Sequence, residues 1–206
     1  MTLNALSSFK DCNLRNELKP ETKSLLDELQ NAKIDVCIST GDNALTAVHV
    51  CRELEMPLKP KIAVVYVDPS TRNTVYILSD TIKLSESAQW ENFNSRTMNQ
   101  IMEECDLAIT GAALEKLWSK CGGDTIQRII KQTPIFARIR PQQKTWFVDQ
   151  LIEIRLIVGM CGDGTNGCGA LKAAHVGLAL SSAEASIVVP FTSKAKVKVI
   201  YDVPGT

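Results

Sequence analysis

The stretch from Leu156 to Ala174 limits most strongly what this chain can fold into. Leu156-Ile157-Val158-Gly159-Met160-Cys161 is an apolar run with β-branched residues and reads as a buried strand. It breaks into Gly162-Asp163-Gly164-Thr165-Asn166-Gly167, a glycine-rich turn with one carboxylate. It resumes as a helix-forming run, Cys168-Gly169-Ala170-Leu171-Lys172-Ala173-Ala174. Strand, acidic glycine turn and helix present a ligand-binding group at the carboxyl end of a parallel sheet. Glycine lets the backbone approach a ligand closely. The helix amino terminus favours an anion, and Asp163 can hold a hard cation beside it. The combination suits a magnesium–phosphate pair.

The rest of the chain repeats that unit. Pro20 and Glu21 suit the first turn of a helix with Leu25, Leu26 and Leu29 on its buried face, ending near Asn31. Ile34 to Ser39 reads as a strand, Thr40-Gly41-Asp42-Asn43 as a tight turn, and Ala44 to about Glu55 as a helix. The two acidic turns would thus lie on the same edge of one parallel sheet. Between them the rhythm breaks. Ile62–Asp68 and Thr74–Ser79 read as a hairpin joined by Pro69 to Asn73, and Ser85–Ser95 as an irregular insertion. The α/β pattern returns with a strand at Asp106–Thr110 and helices at Ala112–Ser119 and Thr125–Lys131. A short strand at Pro134–Ala137 follows, then a basic loop from Arg138 to Gln143 and a helix from Lys144 to Glu153. Val176–Leu180 would be a further strand. The expected fold class is α/β, a Rossmannoid parallel sheet flanked by helices with a β-hairpin insertion.

Composition narrows the function classes. Lys plus Arg and Asp plus Glu both number 23, which gives no basis for expecting nucleic acid or an anionic membrane as partner. No apolar run approaches the ~20 residues of a membrane span. The seven cysteines, Cys12, Cys37, Cys51, Cys105, Cys121, Cys161 and Cys168, include no CxxC pair and read as reduced thiols filling the core. Two histidines, His49 and His175, stand far apart and do not suggest zinc.

Gly162 to Gly167 also matches the dinucleotide fingerprint GxGxxG, with Glu184 near the distance of a ribose carboxylate. Against that reading, Asp163 would set an unneutralised charge beside a pyrophosphate, and Gly167 stands too late in the chain for a Rossmann half to follow. The other reading has Asp163 hold magnesium, which neutralises a phosphoryl group.

Here several motifs converge. Cys161-Gly162-Asp163-Gly164-Thr165-Asn166 resembles the hinge signature GDGxND of P-type ATPases, and Thr40-Gly41-Asp42-Asn43 resembles their TGD motif. Leu18-Lys19-Pro20-Glu21-Thr22 and Phe136-Ala137-Arg138 with Pro141-Gln142-Gln143-Lys144 match further segments in order. Leu107-Ala108-Ile109-Thr110-Gly111, Cys168 to Gly177, and Glu184 to Lys194 resemble the type-five branch, near its lysosomal polyamine-transporting members.

The resemblance implies a haloacid-dehalogenase-like phosphorylation domain working with ATP and Mg2+, in which an aspartate attacks the γ-phosphate. It implies that Thr40 hydrogen-bonds phosphoryl oxygens, that Lys144 offsets charge there, and that Asn166 donates to the phosphoryl group. By the same resemblance Asp163 binds the metal, and Gly41, Asp42 and Arg138 lie near the nucleotide. Read without it, Thr40, Asp42 and Asn166 are helix caps, and Lys144 and Arg138 are solvated charges. Trp146 and Phe147 read as core.

Two departures qualify the resemblance. The nucleophile motif DKTG is absent, Asp80-Thr81 and Asp124-Thr125 being the nearest in type. Gly167 stands where the family has a second aspartate. The expectation is a poorly patterned lead-in over 1–17, a partial phosphorylation domain over 18–194 with an insertion at about 57–100, and a loose tail. The nucleophile strand would be missing from the sheet. The chain would then be a fragment or remnant of a transporter at the cytosolic face of an endomembrane, inactive by itself. Its partners would be ATP and either the missing part of such an ATPase or a full-length relative. A non-catalytic Mg-nucleotide module and a phosphatase of the same fold are the other readings.

Overall fold

The computed structural model describes residues 18, 20–80, 91–92, 95–162 and 168–179. The chain divides into two compact units, 1–36 and 37–206. In the first, helix α1 (Glu21–Asn31) follows Pro20 and buries Leu26. It ends at Lys33, whose φ of 61° is the left-handed geometry that closes many helices.

The second unit is built on a six-stranded sheet. Its strands are β1 (Ile38–Ser39), β2 (Lys61–Val67), β3 (Thr74–Asp80), β4 (Glu91–Asn92), β5 (Asp106–Thr110) and β6 (Ile135–Ala137), in the order β1-β6-β5-β2-β3-β4. β1, β6, β5 and β2 run parallel, and β3 and β4 continue antiparallel from β2. The expected hairpin therefore exists, but its first strand belongs to the interior of the parallel sheet. Side chains alternate between two buried faces. Ala63, Val65, Leu107, Ile109 and Phe136 face one core with α3 (Ser95–Glu104), α4 (Gly111–Lys120), α5 (Gly123–Gln132) and α6 (Pro141–Glu153). Ile62, Val64, Ala108 and Ile135 are buried on the other face, and α2 (Ala44–Glu53) packs on β5 and β6. Burial on both faces is why these strands read as near-continuous apolar runs. Phe147 stacks on Phe136 at 4.4 Å, and Trp146 meets Trp118 edge-to-face at 4.8 Å, so both act as packing residues.

A second, two-stranded parallel sheet pairs β7 (Gly159–Gly162) with β8 (Val176–Ala179) through α7 (Cys168–Ala173). It packs on α6 through Val148, Val158 and Ala170. Two glycines make that packing close. A Cβ on Gly169 would lie 2.5 Å from the Thr145 hydroxyl, and one on Gly177 would lie 2.4 Å from the Leu171 carbonyl.

Several boundaries differ from the expectation. The strand expected from Ile34 begins only at Ile38. The next ladder bond upstream would need an N–H from Pro134, which has none. α6 begins at Pro141 and takes in half of the expected basic loop, because Pro is favoured at a first helical position. β7 starts at Gly159, three residues late, and is not fully buried. Ile157 is 84% exposed, and Val176 and Leu178 open on the same face. α3 was not expected. Ser85–Ser95 falls largely outside the described residues. Among the described cysteines, Cys51 and Cys105 are buried as expected, whereas Cys37 and Cys161 are exposed.

Candidate functional site

The carboxyl ends of β1 and β6 hold one strapped surface. Past β1, Thr40 donates its N–H to the Phe136 carbonyl at 2.9 Å, continuing the ladder for one residue. The chain then turns. The Thr40 hydroxyl donates to Asp42 Oδ2 at 3.0 Å and accepts the Asp42 N–H at 3.1 Å. Neither residue caps α2. That role falls to Asn43, whose Oδ1 accepts the Leu45 N–H at 3.0 Å. The helix-cap reading of Thr40 and Asp42 is thereby corrected: Asn43 leaves them to shape the turn. Gly41 and Asp42 are exposed and Thr40 is half-buried.

From the neighbouring strand, the Arg138 N–H donates to the Asp42 carbonyl at 2.9 Å and the Ile139 N–H to the Thr40 carbonyl at 3.0 Å. Arg138 has φ 50°, a left-handed geometry costing a non-glycine residue about 1 kcal/mol. Its surroundings hold it there while its side chain stays exposed. Lys144 sits in the first turn of α6 and bonds its N–H to the Arg140 carbonyl at 3.1 Å. Thus Thr40, Gly41, Asp42 and Arg138 are drawn together by backbone bonds, and Lys144 enters six residues past Arg138 on the adjoining helix. Asp163 and Asn166 lie outside the described residues. In sequence they fall between β7, which ends at Gly162, and α7.

The motif that contains Gln143 does not by itself disclose the bonds its side chain makes. The Gln143 side-chain carbonyl accepts the Arg140 N–H at 2.8 Å, and its amide donates to the Gly111 carbonyl at 3.0 Å and to Glu115 Oε1 at 2.8 Å. Pro141 two residues before it was the available signal, since Pro at a first helical position with Gln two later marks half of a capping box.

Two strands, β1 and β7, each pair with a single described strand. Ile38 and Thr40 bond β6, so the N–H and C=O groups of Cys37 and Ser39 point the other way. Val158 accepts from Val176, so those of Gly159 and Cys161 point away from β8. Among the described residues no strand pairs with either edge. The Ser39 hydroxyl, on β1, is buried with no hydrogen-bond partner among the described residues. Among the described residues no three His, Cys, Asp or Glu side chains converge as a metal site.

No protein-family model matches the chain. Individual relatives do. The chain is 38% identical over 186 residues to the polyamine-transporting ATPase 13A2 of Mus musculus, covering 87% of this chain and 16% of that protein. It is 35% identical over 191 residues to the probable cation-transporting ATPase 13A5 of Homo sapiens, covering 88% and 16%. It is 34% identical over 191 residues to the vacuolar cation-transporting ATPase YPK9 of Saccharomyces cerevisiae, covering 87% and 13%. The chain spans about one sixth of the length of such relatives. Identity at this level along nearly all of its own length, with the TGD-like turn and the Arg138 loop at the carboxyl edge of one sheet, places the chain in the type-five P-type ATPase family.

Proposed function

We propose that this chain is the portion of a P-type ATPase phosphorylation domain that surrounds the phosphoryl group, working within an ATP-driven cation or polyamine transporter. The observation that carries the reading is the pair of backbone bonds joining the Thr40–Asp42 turn to the Arg138 loop. They bring Thr40, Gly41, Asp42 and Arg138 to one surface, which supports the reading because phosphoryl transfer rests on positioning and on offsetting charge. Thr40 donates to a phosphoryl oxygen once its hydroxyl turns from Asp42. Lys144 balances negative charge on the phosphoryl group, and Asn166 donates to it. Gly41, Asp42 and Arg138 contact the nucleotide. Asp163 is the carboxylate for Mg2+, whose charge offsets that of the phosphates. With Gly167 in place of a second aspartate, this donor set fits Mg2+ only when phosphate oxygens and an outside carboxylate complete its six oxygens.

The edge of β1 at Cys37 and Ser39, which no described strand pairs, bears on the missing nucleophile. A strand carrying DKTG would pair with that edge and bring its aspartate to the carboxyl end of β1, where Thr40 stands. Unpaired backbone groups at the ends of functional strands favour such a partner. The chain by itself then forms no aspartyl-phosphate. Among the described residues no helix is long and apolar enough to cross a membrane. The reading therefore assigns any translocation path to the rest of the transporter and this portion to the cytosolic face of an endomembrane.

The test is complementation. The 206-residue chain and a separately expressed upstream portion of a type-five ATPase carrying DKTG are mixed with γ-labelled ATP and Mg2+. An acid-stable, hydroxylamine-sensitive phosphoenzyme on the upstream portion only when both are present is the expected result. Labelling of this chain alone would overturn the reading. A second reading, a non-catalytic Mg-nucleotide module, is favoured by the absence of DKTG. It predicts Mg-ATP binding that weakens in Asp163→Ala, with no phosphoenzyme in any mixture.

A further inference from the structure

We propose that Gln143 is a positioning residue for this phosphoryl surface: its amide clamps the start of α6, and with it Lys144, onto the start of α4 and the Arg138 peptide. The proposal rests on the site reading above. Every polar atom of the Gln143 amide is used. Oε1 must face the Arg140 N–H, and Nε2 must face two acceptors, the Gly111 carbonyl and Glu115 Oε1. The amide therefore has one orientation that satisfies all three. Arg140 adds an ion pair to Glu115 at 3.8 Å across the same junction.

Gly111 shows how tight the junction is. A Cβ there would lie 2.5 Å from Gln143 Oε1 and 2.6 Å from the Arg138 carbonyl. One glycine thus sits against both the clamp and the Arg138 peptide. The N–H of that same peptide, from Ile139, donates to the Thr40 carbonyl at 3.0 Å. A continuous path of contacts runs from Gln143 through Gly111 and Arg138 to the Thr40–Asp42 turn. The path links the residues that follow β1, β5 and β6. Lys144 is the residue next to the clamp.

A plain helix-capping role makes a different prediction. Capping uses only the acceptor oxygen, and Glu serves there as well as Gln. Gln143→Glu keeps that acceptor, loses both donors and sets a second carboxylate against Glu115. The variant separates the two roles.

The experiment uses the intact 206-residue chain. Amide exchange is measured in wild type, Gln143→Glu and Gly111→Ala, with circular dichroism confirming the fold, and each protein is titrated with Mg-ATP. Clamping predicts exchange about tenfold faster at the Arg138 and Ile139 amides in both variants. The Lys144 amide of Gln143→Glu and the amides shared by β2 and β5 keep their wild-type rates. Mg-ATP affinity falls about tenfold in both variants. Wild-type exchange at Arg138 and Ile139 in Gln143→Glu would overturn the clamp. Unchanged Mg-ATP affinity alongside faster exchange would overturn its role in the site. Absence of binding by wild type would instead remove the site reading itself, while the exchange rates still decide the clamp.

Discussion

The Arg138 N–H reaches the carbonyl of Asp42 at 2.9 Å, which makes two loops nearly a hundred residues apart in sequence into one surface. The bond holds a non-glycine residue at φ 50°. Arg138→Gly removes the backbone cost and the side chain together. Stability to urea should rise by up to about 1 kcal/mol. Mg-ATP affinity should fall if the guanidinium meets the nucleotide. A variant that is both more stable and equally tight would remove Arg138 from the site.

Asn43, and not Thr40 or Asp42, caps α2. Asn43→Ala should cost about 1 kcal/mol in chemical denaturation. Thr40→Val keeps the β-branch and removes the hydroxyl, so it should spare the helix and lose only the bonds to Asp42. Equal destabilisation by the two variants would show that the turn, and not the cap, sets the start of α2.

The two glycines around α7 should differ in their tolerance of alanine. At Gly177 the obstacle is the backbone carbonyl of Leu171 at 2.4 Å, which moves only with the helix. At Gly169 it is the Thr145 hydroxyl at 2.5 Å, which can rotate away. Gly177→Ala should cost about 2–3 kcal/mol and Gly169→Ala less than about 1 kcal/mol, read as shifts in denaturation midpoint. The reverse order would place the rigid contact at Thr145.

Burial pushes the Cys51 thiol up to about 12. At pH 8 only about one molecule in 10,000 carries its thiolate, so iodoacetamide should modify exposed Cys161 long before Cys51. The sign for stability follows. The unfolded thiol ionises near 9 and the folded one near 12, so the stabilisation from the neutral thiol is complete below pH 9. It is lost as pH rises toward 12. Cys51→Ala should flatten that alkaline loss while leaving the pH profile below pH 9 the same as in wild type.

Much of this architecture was legible before any coordinates. The strands Asp106–Thr110 and Ile135–Ala137, the hairpin and the helices α2 and α5 follow from apolar period and from turn residues, because local pattern matches the surface each element buries. The Thr40 turn and the Arg138 loop were legible as residue types that turns and ligand sites use. α3 was not. Its buried Met98 and Ile101 are spaced too sparsely among polar residues for the period to stand out. The role of Gln143 was also hidden, since its partners Gly111 and Glu115 lie some thirty residues away.

The amino-acid sequence by itself determined the repeating α/β unit, the family and the types of group offered to a phosphate, because these rest on local spacing and on motif identity. Tertiary structure alone decided that Thr40 and Asp42 shape a turn while Asn43 caps, that one amide ties α6 to α4, and that β1 pairs with a single described strand. Those outcomes depend on which distant backbone groups find hydrogen-bond partners, and pairing between distant segments has no period along the chain.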